Sequence, residues 1–271
     1  MKTDATEIRE VSDEALEQLV DAIERGRSDT LKRYLAMMAR FRQYSLGNLI
    51  LIAFQKPGAT RVAGYRTWLG LGRQVRRGER GIRILAPVVR RSKDDEDDEE
   101  TVVAFRSAYV FDISQTDGEP LDAFKTVEGD PGQWIHRLRH YVASLGIELK
   151  YERTLHGASG VSRGGCILLK ADLSLPEEFS VLVHELAHEM LHHGHSDQTT
   201  SKVVQETEAE AVAFVVSEAI GLDAMESSRD YIHLYKGDKQ MLMKSLHRIR
   251  QTAVTIIDGI YPLDSSEIQA A

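Results

Sequence analysis

The chain has 271 residues, 42% of them hydrophobic, enough for one large packed domain or two small ones. Its longest apolar run, Leu49 to Phe54, is too short to cross a bilayer, and the start MKTDATEIREV has no hydrophobic segment, so neither a membrane span nor export is expected. Cys166 is the single cysteine, which excludes an internal disulfide and suits a reducing cytoplasm.

The net charge of −8 is unevenly spread: between Lys32 and Lys93 fifteen Lys or Arg face one acid, Glu79. A block that basic inside an acidic chain points to a polyanion partner for the block alone, against the plainer reading of a solvated positive face.

In chain order, VSDEALEQLVDAIERG reads as an amphipathic helix, with Ser12 as its cap and Gly26 at its end. DTLKRYLAMMARFRQ is a second helix, with Leu31, Tyr34, Leu35 and Met38 on one face. SLGNLILIAFQK is a third, buried helix stopped by Pro57-Gly58. TRVAGYRTWLGLG gives a short extended piece and one or two helical turns. RQVRRGERGIRILAPVVRR reads as two strands around a Gly-Glu-Arg-Gly turn, and TVVAFRSAYVFDIS as a long strand. Between them the seven acids from Asp94 to Glu100 repel one another and predict a mobile hairpin tip. Turn residues in SQTDGEPLDAFKTVEGDPG mark a boundary, giving domains 1–125 and 126–271. The second half reads helix (GQWIHRLRHYVASLG), strand (IELKYER), hairpin (GVSRGGCILLKADL) and three helices, beginning EEFSVLVHELAHEM, VVQETEAEAV and DKQMLMKSL. The fold class is α+β in both halves.

HELAHEMLHHG carries the chemistry. Residues four apart on a helix share a face, so His184 and His188 can grip one ion. Glu185, next to the first of them, can reach a water on that ion as general base. The flanking Val181, Leu182, Val183, Leu186 and Ala187 make the helix a buried one, and burying histidines there costs free energy unless something satisfies them. A catalytic zinc needs a third ligand. The next helix offers Glu206, Glu208 and Glu210; Glu206 and Glu210 share a face, and Glu208 lies roughly opposite. Glu206 is the expected ligand and Glu210 the acid that fixes a histidine tautomer from behind. Zinc is the expected ion, with another divalent metal as the alternative. Metal-activated water, with Glu185 taking its proton, would then hydrolyse a peptide, laid along an edge strand of the GVSRGGCILLKADL hairpin. Tyr151, His156, Tyr231 and His233 are candidates for stabilising the oxyanion. His192, His193 and His195 read as structural or surface residues, protonated at a helix C-terminus with Gly194 as cap.

In the basic block cations alternate with aromatics: Arg42, Tyr44, Tyr65, Arg66, Trp68, Arg73, Arg76, Arg77 and Arg80. Single-stranded nucleic acid is held by such a mixture, bases stacking on rings while cations follow the backbone. No helix-turn-helix or zinc-finger spacing is present, which argues against duplex sequence reading. Phe41 and Trp68 fit a core equally well. Asn48, in an apolar helix, needs a partner, either a backbone group or a phosphate.

The segment FRQYSLGNLILIAFQKPGATRVAGYRTWLGLGRQVRRGERGIRILAP resembles the N-terminal single-stranded-DNA-binding domain of the ArdC antirestriction proteins, and FDISQTDGEPL resembles that domain's closing strand. HELAHEMLHHG followed by ETEAEAVAFVVSEAIGLD resembles the family's C-terminal metallopeptidase domain, related to ImmA/IrrE peptidases. The resemblance implies a zincin-like C-terminal fold and a cytoplasmic protein of bacterial plasmids or other mobile elements. It implies that the protein binds single-stranded DNA, helps it evade restriction and carries a zinc-dependent peptidase. The implied ligands are His184, His188 and Glu206, with Glu185 catalytic. The ImmA/IrrE pattern often has Asn or Asp where this chain has Glu210, and the acidic run at 94–100 resembles an insertion. Two other readings stay open: a DNA-binding protein with a purely structural metal site, and a regulatory protease that cleaves a repressor. Neither the peptide substrate nor the oligomeric state follows from these motifs.

Overall fold

A computed structural model describes residues 4–25, 28–91, 100–119, 131–193, 201–222 and 238–261. The acidic residues 94–99, the helix-end residues Gly26, Gly194 and His195, and Tyr231 and His233 lie outside the described residues. The chain divides into two compact units, residues 1–21 with 43–121, and residues 22–42 with 122–269. A single cut near 125 misses one feature: the segment 22–42 packs with the second unit, because the helix Ser28–Arg40 lies against the helix Lys202–Ala219. Among the described residues no helix is long and apolar enough to cross a membrane.

The first helix, α1 (Asp4–Glu24), begins eight residues before the expected Ser12. It is followed by α2 (Ser28–Arg40) and α3 (Leu46–Gln55). Ser45 caps α3, its hydroxyl accepting from the Asn48 N–H at 3.3 Å. Then come β1 (Val62–Gly64), α4 (Tyr65–Gly70), β2 (Arg73–Val75), β3 (Ile82–Arg91), β4 (Glu100–Asp112), a short 3-10 turn at Ile113–Gln115 and β5 (Thr116–Gly118). The strands around Gly-Glu-Arg-Gly form, but they are not partners. β2 pairs with β5, whereas β3 pairs with β4 in an antiparallel sheet of order β1-β4-β3. Alternation puts Ile82, Ile84 and Val110 on the buried face of that sheet.

β3 is an edge strand, and α3 closes it. Asn48 Nδ2 donates to the Leu85 carbonyl at 2.9 Å and its Oδ1 accepts from the Leu85 N–H at 2.9 Å. Gln55 repeats this with the Arg83 N–H and carbonyl at 2.9 and 2.8 Å. Two amide side chains thus act as the missing neighbouring strand and remove an aggregation-prone edge. Asp112 ties the other end: its carboxylate accepts from the N–H groups of Thr60, Arg61 and Ser114 at 2.8, 3.0 and 3.0 Å.

The second unit contains α5 (Gln133–Ser144), β6 (Glu148–Glu152), β7 (Gly160–Ser162), β8 (Cys166–Lys170), α6 (Leu175–Leu191), α7 (Lys202–Ala219) and α8 (Lys239–Ile260). Its sheet has the order β6-β8-β7, with β8 parallel to β6 and antiparallel to β7. The central strand buries Ile167, Leu168 and Leu169 in succession. α6 starts at a Ser174/Glu177 capping box. α7 is buried nearly all round, from Val204 through Val216, because α2, α6 and α8 pack against it. Two buried carboxylates fix these elements. Glu178 accepts from Arg139 Nε and Nη2 at 2.9 and 2.7 Å and from the Tyr151 hydroxyl at 2.5 Å, joining α5, α6 and β6. Glu208, on the face of α7 away from Glu206, accepts from Ser245 Oγ at 2.7 Å and lies 3.4 Å from Arg248 Nη2 on α8.

Candidate metal centre and basic surface

α6 and α7 lie side by side, and their facing turns bring His184, His188 and Glu206 together. The Nε2 atoms of the two histidines are 3.1 Å apart, and Glu206 Oε2 is 3.6 Å from the first and 3.5 Å from the second. A tetrahedral ion with bonds of 2.0–2.1 Å sets its ligands about 3.3 Å apart. The donor set therefore fits one small divalent ion, with nitrogen and oxygen ligands of the kind zinc takes. Glu210 stands behind: its Oε2 is 3.3 Å from Nδ1 of His184, so that ring can donate there and direct Nε2 toward the centre.

The electrostatics follow from burial and crowding. Burial works against charge on His184, but Glu210, Glu185 and Glu206 outweigh it and hold its pKa above the ordinary histidine value. Burial and the neighbouring His184 push His188 down. Burial, aided by Glu206 and Glu189, lifts Glu185 above the ordinary carboxylate range, against the pull of His184. A buried carboxylate with raised proton affinity suits a general base better than an exposed one.

His192 departs from the protonated helix-end residue expected of it. Burial, with His188 and Arg248 close by, lowers its pKa to about 4, so it is neutral at pH 7. Its Nε2 lies 3.2 Å from the Gln205 carbonyl, a hydrogen bond between the end of α6 and α7. Tyr151 is committed to Glu178, which removes it as an oxyanion partner. His156 is exposed, in a left-handed backbone conformation (φ 49°).

In the first unit, several expected DNA contacts are used up inside the fold. Trp68 is buried and donates from Nε1 to the Phe111 carbonyl at 2.8 Å. Asn48 takes the backbone alternative, on β3. Arg73 donates to Thr116 Oγ1 at 2.8 Å, to the Thr116 and Gly118 carbonyls at 3.1 Å each, and to the Glu119 carbonyl, so it clamps β2 to β5. Arg42 belongs to the second unit, 3.9 Å from Asp258 and over the Tyr261 ring. Tyr44 is half-buried, its hydroxyl 3.4 Å from the Val62 carbonyl. Arg76 is paired with Glu79 at 2.8 Å and Asp117 at 3.3 Å. Tyr65, Arg66, Arg77 and Arg80 are exposed.

Residues 9–111 match the family described as the N-terminal domain of anti-restriction factor ArdC, and residues 138–249 match the IrrE N-terminal-like domain of the peptidase M78 family. The chain is a two-domain protein of the ArdC type. An uncharacterized protein of Bacillus anthracis is 26% identical over 272 residues, an alignment covering 82% of this chain and 46% of the relative, so the chain spans about half of that relative's length. Two crystal structures of the antirestriction ArdC protein from the R388 plasmid are similar. The metal-free one has 20% identity and a TM-score of 0.49, covering 79% of this chain and 84% of its own. The Mn(II)-bound one has 18% identity and a TM-score of 0.49, covering 85% and 99%.

Two site-shaping residues of this ArdC-type chain escaped the sequence reading. A Cβ on Gly160 would lie 2.6 Å from Val181 Cγ1, 2.7 Å from Glu185 Cγ and 2.8 Å from Glu185 Oε1, so only glycine lets edge strand β7 cross over the Glu185 turn of α6. Glu189 Oε1 accepts from Ser162 Oγ and the N–H groups of Arg163 and Gly164 at 2.7, 3.1 and 2.8 Å, and Oε2 from the Gly165 N–H at 2.7 Å. The Ser-Arg-Gly-Gly turn between β7 and β8 is thus a backbone nest closed on a carboxylate from α6. The Gly-Gly pair was the available signal.

Proposed function

We propose that this protein is an antirestriction factor of a bacterial mobile element whose first unit binds single-stranded DNA and whose second unit is a metal-dependent peptidase. One observation carries the peptidase half: the ligand atoms of His184, His188 and Glu206 converge to 3.1, 3.5 and 3.6 Å from one another, with Glu185 on the next position of the same helix turn.

His184, His188 and Glu206 would hold the ion. When bound, a zinc or similar ion supplies a Lewis acid and lowers the pKa of water. The chain's own residues do the rest. Glu210 orients His184 through Nδ1. Glu185, buried and with raised proton affinity, takes a proton from water and returns it to the leaving amine. β7, an edge strand held beside Glu185 by Gly160 and Glu189, offers backbone groups to an extended peptide. Among the described residues three side chains converge on the site, and a three-ligand set would keep a position for water, which favours catalysis over a closed structural site.

For the first unit, the ArdC-type domain and exposed Tyr65, Arg66, Arg77 and Arg80 support a single-stranded polyanion as partner. Binding should weaken with salt and favour single strands over duplex. Charge reversal of Arg77 and Arg80 together should weaken it; equal affinity for both DNA forms would refute the reading. For the peptidase, proteomes of cells carrying the intact protein and Glu185→Gln should differ in specific cleavage fragments. A cleaved repressor among them would assign a regulatory protease, and identical proteomes would refute peptidase function.

A further inference from the structure

β4 turns two large rings to solvent on one face. Phe105 is 58% and Tyr109 is 53% exposed, while Val110 beside them is buried. On β3, Arg83 is the cross-strand partner of Tyr109, and its guanidinium lies over that ring at 6.0 Å from the centroid. The Tyr109 ring is also supported from beneath: a Cβ on Gly81 would lie 3.0 Å from its Cβ and Cδ1, and 3.1 Å from Phe111 Cζ. Glycine there lets the aromatic side chains lean across the neighbouring strand.

We propose that this face of the β3–β4 hairpin is a base-stacking platform for single-stranded DNA, with Phe105 and Tyr109 as the stacking rings and Arg83 as the cation beside them; the proposal rests on the single-strand reading of this unit. The cation held beside the Tyr109 ring argues for an anionic occupant with flat faces to stack. An apolar protein partner would be matched by an apolar patch, but here the rings share the unit with Arg83 and the exposed Arg66, Arg77 and Arg80. Rings and cations together fit unpaired bases joined by phosphodiesters. Four residues of strand separate the rings by about 13 Å, against a rise of about 3.4 Å per nucleotide in a stacked helix. The platform therefore takes bases that are splayed apart, which a duplex cannot present without unpairing.

The test uses the full-length protein and a fluorescent oligothymidine, read by anisotropy, with Phe105→Leu, Tyr109→Leu, the double variant and Tyr109→Phe. Leucine keeps an apolar side chain at an exposed position but has no ring face, so the fold is kept, as circular dichroism checks. Each leucine variant should weaken binding by about tenfold or more, with the double variant weaker still. Tyr109→Phe should stay within about twofold of the intact protein, since the ring and not the hydroxyl stacks. The slope of affinity against salt should be unchanged by the leucine variants and reduced by about one in Arg83→Gln. Tight binding that survives both leucine changes overturns the platform while leaving DNA binding by this unit intact. No binding by the unaltered protein overturns both. Self-association lost in the leucine variants, with DNA binding retained, overturns the platform in favour of a contact between copies.

Discussion

Glu210 lies 3.3 Å from Nδ1 of His184, while Nε2 of the same ring faces His188 and Glu206 at 3.1 and 3.6 Å. One ring is thereby held from behind and aimed forward. Glu210→Gln should keep metal binding but weaken it by about 10- to 100-fold. Isothermal titration with Zn(II) and with Mn(II) reads this directly. Unchanged affinity would mean that Glu210 plays no part in aiming the ring.

Glu185→Gln should bind metal as the native chain does and lose peptide hydrolysis by at least about 10²-fold. Fragment analysis in cells, with metal content measured in parallel, separates a lost base from a lost ion. Retained cleavage would remove Glu185 from the chemistry.

Glu189 collects four hydrogen bonds from the β7–β8 turn. The turn residues are exposed, so water replaces these bonds in Glu189→Ala and the global cost should be only about 1 kcal/mol. Local order should suffer more. Hydrogen exchange at Val161 and Ser162 should quicken while exchange in α7 stays slow; equal protection in both chains would deny the turn its anchor.

The approach of His184 and His188 was legible because H-E-x-x-H puts both rings on one helix face. Glu206 was legible because the helical period separates it from Glu208, which indeed points to Arg248 and Ser245. The basic surface was far less legible. Cations and rings in a sequence do not reveal which of them the fold consumes: Arg73 clamps β2 to β5, Trp68 serves the core, and Asn48 the edge of β3. Phe105 and Tyr109 sit in a run whose alternation leaves open which face meets solvent. The packing of residues 22–42 with the second unit was not legible, because an amphipathic helix names its apolar face but not the partner that covers it.

The Glu178 cluster predicts both stability and an alkaline titration. Arg139→Met leaves a buried carboxylate with one partner and should cost about 2–3 kcal/mol; Tyr151→Phe should cost about 1 kcal/mol. Burial and the Glu178 carboxylate raise the Tyr151 pKa from 10.0 to about 12. The hydroxyl's contribution is therefore complete below pH 10 and is lost as pH rises through 12. Ultraviolet titration of the native chain against Tyr151→Phe should place the missing tyrosine at the alkaline end; a missing step near 10 would contradict the cluster.

Asp112 predicts the acid side of the first unit. Burial alone would raise its pKa, but hydrogen bonds from Ser114, Thr60 and Arg61 prevail and hold it below 3.8. Its contribution is present above pH 3.8 and is lost as pH falls through its lower folded value. Asp112→Asn should flatten the acid limb of a stability–pH curve and cost about 1–2 kcal/mol at neutral pH. An acid limb of the same shape in both chains would show that the carboxylate is not what acid titrates.

Metal stoichiometry in the purified full-length chain, after equilibration with Zn(II) or Mn(II) and removal of excess, tests the central claim most directly. One ion per chain is predicted, absent in Glu206→Ala and in His188→Ala and retained in Glu185→Gln. An ion that survives Glu206→Ala, or a native chain that holds none, would contradict a centre built from α6 and α7.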